Sequence, residues 1–134
     1  MRAVLDTNVF ISGFRNDGKP RITLEQAILG TYTLILSEEI RVEIEAILSR
    51  KLAWTKPVTD HRFLQVIDAA EMVAPTESIT DCSDPDDNMF LECAEAAGAN
   101  YLVTGNKKHF PDRWKKTKVI SARELIELLM EQED

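Results

Sequence analysis

The stretch Tyr32-Thr33-Leu34-Ile35-Leu36-Ser37-Glu38-Glu39-Ile40 decides the fold. Tyr32 to Leu36 reads as a short buried strand, and Ser37 directly after it offers a side-chain oxygen to the free N–H groups of a helix start. Glu38 and Glu39 fall in the first turn, where the helix dipole favours acids. Ile40, Ile44, Ile47 and Leu48 then recur at helical spacing and define a core face on a helix that runs to Arg50. A strand that passes straight into a capped helix is the repeating step of an α/β domain.

The same alternation extends in both directions. Upstream, Ala3-Val4-Leu5 reads as a first buried strand ending at Asp6, and Arg21 to Leu29 as a helix closed by Gly30. Downstream, the pattern predicts a helix over Thr59 to Glu71 after the breaker Pro57, then a short strand Met72-Val73-Ala74 and a polar loop through Ser83. A helix from Pro85 to Ala97 ends near Gly98, and Tyr101 to Thr104 forms a strand that stops at Gly105. Val119-Ile120 is a last short strand, after which Ser121-Ala122-Arg123-Glu124 is a capping box that opens a helix over Leu125 to Met130. Strands alternating with helices imply a mostly parallel sheet in one domain covering residues 1–134.

The 134 residues are 44% hydrophobic and 29% charged, as in an ordinary globular domain, and no apolar run approaches the roughly 20 residues that cross a bilayer. The opening Met1-Arg2-Ala3-Val4-Leu5 meets an aspartate at once and lacks the pattern of a secretory leader, so the expected compartment is the cytoplasm, with no membrane partner. Cys82 and Cys93 lack paired-ligand spacing and read as reduced, inert thiols. A net charge of −7 argues against indiscriminate coating of nucleic acid. Between Lys107 and Lys118, however, six basic residues (Lys107, Lys108, Arg113, Lys115, Lys116 and Lys118) stand against one acid, Asp112, with Phe110 and Trp114 interleaved. Such a patch follows a phosphate backbone while its rings stack on bases; the alternative is a solvated loop with two rings tucked into the core.

In open parallel sheets the ligand crevice lies beyond the carboxyl ends of the strands. Polar residues gather at those places here: Asp6 and Asn8 after the first strand, Glu43 one turn into the helix after the second, Asp84, Asp86, Asp87 and Asn88 at the head of the Pro85 helix, and Thr104 and Asn106 after the third clear strand. Asp87 is the most telling, because Phe90, Leu91 and Ala94 follow it at i+3, i+4 and i+7 and aim its carboxylate along the apolar stripe. Each residue alone has a bland reading as a helix cap, a solvated stripe or a turn. Together, Asp6, Glu43 and Asp87 would repel one another unless a cation sat among them. Oxygen ligands without histidine or cysteine favour Mg²⁺ or Mn²⁺ over zinc. His61 and His109 are expected to lie outside the cluster, and helices near Phe14 or Phe63 are candidates for apolar contact with partners.

Asp6-Thr7-Asn8, the helix from Ser37 to Arg50 with its interior Glu43, Asp84-Pro85-Asp86-Asp87-Asn88, and Val103-Thr104-Gly105-Asn106 with Lys107-Lys108-His109-Phe110-Pro111 resemble, in order, a PIN domain. In particular they resemble the small prokaryotic PIN proteins classed as toxins of toxin–antitoxin pairs, the VapC-type ribonucleases. The resemblance implies a twisted central parallel sheet of four or five strands flanked by helices on both faces, and Mg²⁺- or Mn²⁺-dependent endoribonuclease activity. It also implies an RNA substrate, a cognate antitoxin and a homodimer. Asp6, Glu43 and Asp87 match the family's acidic, metal-holding positions, with Asn8, Asp84 and Thr104 as supporting polar residues. Asn106, placed with the catalytic set, stands where many members carry a further aspartate, which removes one charge from a second metal position. Lys107, Lys108, Arg113, Lys115 and Lys116 would hold the RNA backbone. Two other readings stay open: a PIN-like RNA- or protein-binding module whose acids only cap helices, and a haloacid-dehalogenase-like phosphatase with Asp6 as nucleophile.

Overall fold

Ala3, Val4, Leu5, Leu34, Ile35, Leu36 and Leu102 are fully buried, so the strands carrying them are covered on both sides, as a parallel sheet requires. The computed structural model describes residues 1–132. Its strands are β1 (Arg2–Leu5), β2 (Thr33–Ser37), β3 (Glu71–Val73), β4 (Tyr101–Val103), β5 (Arg113–Trp114) and β6 (Thr117–Ile120). Its helices are α1 (Thr7–Arg15), α2 (Lys19–Leu29), α3 (Glu38–Leu52), α4 (Lys56–Ala69), α5 (Asn88–Ala97) and α6 (Ala122–Gln132), with short 3₁₀ turns over Pro85–Asp87 and Lys107–His109.

The sheet order is β3-β2-β1-β4-β6-β5, parallel throughout except for the β5–β6 pair. The chain steps outward from β1 to β2 to β3, then returns to the other side of β1 as β4. That reversal creates a switch point between β1 and β4, and right-handed crossovers put α5 on the face opposite α1 to α4. Phe10, Phe14, Phe63 and Trp54 lock the α1–α4 side edge to face, with Phe14 lying 5.2 Å from Trp54 and 6.0 Å from Phe63 between ring centroids.

The expected α/β architecture is present, with differences at particular elements. The sheet has six strands: β5 joins β6 through a two-residue turn in which Lys115 takes φ 52°, a place where glycine is the usual signal. Helix α4 starts at Lys56, earlier than expected, because Pro57 sits inside its first turn, where a missing N–H costs nothing. Ser37 caps α3 through Ile40 N at 3.3 Å, and the Ser121–Glu124 capping box closes in both directions. Phe14 and Phe63 are themselves buried, but Val58 and Leu64 on α4 and Ile28 on α2 are exposed, so apolar surface does lie on the helices near them. Burial pushes the Cys82 thiol up to about 11 and that of Cys93 to about 12, which keeps both protonated and unreactive.

Candidate active site

The switch point brings the end of β1 against the end of β4. Asp6, directly after β1, is buried, and its backbone N–H donates to Val103 O at 3.0 Å. Its Oδ1 caps α1 by accepting from Val9 N at 3.0 Å, while Oδ2 accepts from the Thr104 hydroxyl. Thr104 in turn accepts from the backbone N–H of Asn106 at 3.0 Å. The bland reading of Asp6 as a cap is therefore true of one oxygen only. Burial raises the Asp6 carboxyl above its ordinary range, against the opposing pull of Thr104, of the Val9 and Asn8 amides and of His109.

Two more elements, α3 and the 3₁₀ turn over Pro85–Asp87 with its cap, supply acids to the same place. A cavity of about 230 Å³ is lined by Asp6, Asn8, Glu43, Asp84, Asp87 and His109, among others. Glu43, one turn into α3, accepts from the Thr7 hydroxyl at 2.8 Å. Asp84 caps the 3₁₀ turn by accepting from Asp86 N at 3.0 Å. Asp87 closes that turn just ahead of α5 and does not reach back as a capping-box acid would. Its Oδ2 is buried with no hydrogen-bond partner, the one such side-chain atom among the described residues. The Asp87 carboxyl is raised, first by burial, then by repulsion from Asp84, Asp6 and Glu43, with His109 opposing.

His109 corrects one expectation. The 3₁₀ turn after β4 carries it back over the pocket, where its Nδ1 stands 3.5 Å from Asp87 Oδ2. The signal for it is indirect: the ring follows Thr104 by five residues, and the next residue, Phe110, anchors the turn by packing on Phe90 with centroids 6.3 Å apart. Asn106 is exposed and does not line the acidic pocket; its amide lies 3.0 Å from His109 Nε2. That contact holds one edge of the ring and leaves Nδ1 turned toward Asp87, beyond hydrogen-bond distance of its Oδ2. His61 is exposed on α4, away from the pocket.

The basic stretch is divided by the fold. Lys107 and Lys108 follow β4 and lie at the acid end of the sheet, with Lys107 paired to Glu124. Lys115 and Lys116 precede β6 and lie at the opposite end, beside the C-terminus of α5, where Lys115 pairs with Glu95; Arg113 is on edge strand β5. Phe110 is buried and Trp114 half-buried, so the rings do not stand free for base stacking.

A divalent cation fits the donors present. Among the described residues no three His, Cys, Asp or Glu side chains already converge on one point. Mg²⁺ and Mn²⁺ nevertheless keep several waters and need only one or two direct carboxylates. The orphaned Asp87 Oδ2, in a cavity shared with Asp6, Glu43, Asp84 and Asp86, is the kind of buried charge that such an ion compensates.

A family model described as PIN domain matches residues 2–108. In fold, the chain is similar to the crystal structure of VapBC2 from Rickettsia felis bound to a DNA fragment from their promoter, with a TM-score of 0.59 and 18% identity over 90% of this chain and 98% of that one. It is also similar to PAE2754 from Pyrobaculum aerophilum, with a TM-score of 0.62 and 14% identity over 97% of this chain and 90% of the other. No curated protein matches the chain at a significant level.

Proposed function

Because the chain belongs to the PIN domain family, whose members are generally nucleases, we propose that it is a divalent-metal-dependent endoribonuclease and the toxin of a toxin–antitoxin pair. The observation that carries the reading is Asp87 Oδ2, buried and unpartnered beside Asp6 and Glu43. Asp6, Glu43 and Asp87 would hold Mg²⁺ or Mn²⁺, which when bound neutralises the acids and acts as a Lewis acid toward water and a phosphate oxygen. Thr104 fixes the Asp6 carboxylate and Thr7 fixes Glu43, so two of the three acids are held in orientation before any ion arrives. His109, held at Nε2 by Asn106, presents Nδ1 to Asp87 from 3.5 Å. Asn8, exposed at the rim, is placed to hydrogen-bond a phosphate oxygen.

The fold shared with VapBC2 supports an antitoxin partner, and the family resemblance supports a cytoplasmic homodimer. The decisive experiment incubates the purified chain and its Asp87→Asn variant with end-labelled RNA in Mg²⁺, Mn²⁺ or EDTA. Cleavage by the wild type only with metal, and none by the variant, is expected; equal cleavage by both proteins rules the assignment out.

The reading as a binding module has one observation in its favour: the oxygens of Asp6 are already engaged as a cap and by Thr104. Calorimetric titration with Mn²⁺ separates the two, since caps alone bind no ion specifically.

A further inference from the structure

A second cavity, of about 470 Å³, adjoins the acidic pocket across Asn8 and Thr104. Asn8 lines both cavities, and Thr104 lines the second while its hydroxyl holds Asp6 in the first. The two spaces are therefore neighbours, joined at Asn8 and at the Thr104–Asp6 contact.

The second cavity has the chemistry that the first lacks. Val9, Pro20 and Ala122 give it an apolar floor, and Lys19, Lys107 and Arg123 give it three cations. These come from four separate elements: α1, the start of α2, the turn after β4 and the start of α6. Two of the cations have carboxylate partners, Lys107 with Glu124 and Arg123 with Glu127 at 3.1 Å. Among the described residues no carboxylate pairs with Lys19. Arg123 and Glu127 are both well exposed and Lys107 is about half-exposed, so these pairs are weak and an arriving phosphate can displace the carboxylates.

We propose that this cavity is a nucleotide subsite, in which Lys19, Lys107 and Arg123 take the phosphate next to the one being cleaved and the apolar floor takes its sugar or base. The proposal rests on the ribonuclease reading and adds what that reading lacks. The five acids that line the first cavity repel a polyanion, so an RNA strand reaches it only if adjacent cations offset the repulsion. The volume lies within the range of small-ligand pockets, and one end apolar with the other cationic suits a nucleotide better than a bare phosphate. Lys19 and Arg123, far apart in sequence and inconspicuous there, thereby join Lys107 at one site.

The test uses the full chain and a fluorescein-labelled single-stranded RNA octamer. Affinity is read by anisotropy in EDTA and in Mn²⁺, and cleavage is read separately on gels. Lys19→Ala/Arg123→Ala is expected to weaken RNA binding roughly tenfold, with a shallower dependence on salt, as neutralising fewer phosphates requires. Lys19→Arg is expected to retain wild-type affinity. Arg50→Ala/Lys51→Ala, which removes the same charge at the far end of α3, is expected to bind as the wild type does. All these positions are exposed, so the variants should fold, and thermal melts check that they do. Unchanged affinity in the Lys19/Arg123 variant, the outcome if the cleft takes an acidic peptide instead, overturns the subsite, as does a wild type that binds no RNA. A wild type that binds through these residues yet cleaves nothing in Mg²⁺ or Mn²⁺ leaves the subsite standing and removes the nuclease.

Discussion

Asp87 carries a cost in stability. A buried carboxylate oxygen with no donor forfeits a hydrogen bond and feels three other acids, so the folded protein holds a proton there to higher pH than the unfolded chain does. The sign follows from linkage: where the native state binds more protons than the unfolded one, stability falls as pH rises through the window above the ordinary carboxylate range. Replacing Asp87 by Asn removes the charge. The metal-free Asp87→Asn variant should therefore be more stable than the wild type at neutral pH by about 1 kcal/mol, or about 3–5 °C in Tm for a chain of this size. That advantage should shrink as pH falls through the raised pKa, because the wild-type acid is then neutral as well. Paired thermal melts in EDTA at pH 7.5 and near pH 4.5 check both parts; a variant no more stable than the wild type at pH 7.5 contradicts the account. With Mn²⁺ at neutral pH the order should invert, since the wild type gains stability from the ion by mass action and the variant does not.

Among the elements, the α1–α2 contact is the one most exposed to a single substitution. Gly13 lies inside α1, and a Cβ there would stand 2.6 Å from Leu24 Cδ1 and 3.0 Å from Pro20 O. The Leu24 side chain can turn aside, but the Pro20 carbonyl cannot, so α2 must move. Helix propensity favours alanine by up to about 1 kcal/mol, and overpacking costs about 1–3 kcal/mol, so Gly13→Ala should destabilise the protein by roughly 1–2 kcal/mol. Urea unfolding measures it, and a neutral or stabilising result means that the helices separate freely. Elements of this kind were legible in the sequence when a cap and a periodic face coincided, as at Ser37 with Ile40 and Ile44. They were not legible where a turn works without its usual residue. Lys115 at φ 52° makes the β5–β6 hairpin without glycine, and the 3₁₀ turn at Lys107–His109 returns His109 to the acids with no periodicity to announce it. Asp6, Glu43 and Asp87 could be picked out because each follows a strand or heads a helix, whereas Lys19 and Arg123 acquire a setting only when α2 and α6 pack.

At the scale of the molecule, charge is sorted by the two ends of the sheet. The acids, Lys107 and Lys108 lie at the carboxyl ends of the parallel strands, while Lys115 and Lys116 lie where β6 begins. The four residues of β6 set these ends roughly 13 Å apart at about 3.3 Å per residue, beyond the Debye length of about 8 Å at physiological salt. Lys115 is also committed to Glu95 and to the Trp114 ring, 5.9 Å from its centroid. The contiguous basic run in sequence therefore acts as two separate charges in space, and only the Lys107–Lys108 part bears on a strand entering the acid pocket. Lys107→Ala/Lys108→Ala should flatten the logarithmic dependence of RNA affinity on salt by roughly 0.7 for every phosphate left without its cation, and Lys115→Ala/Lys116→Ala should change it much less. Affinities measured from about 50 to 200 mM salt decide the matter. Equal flattening by both pairs would mean that the bound strand runs the full height of the sheet edge and that both ends of the basic run hold it.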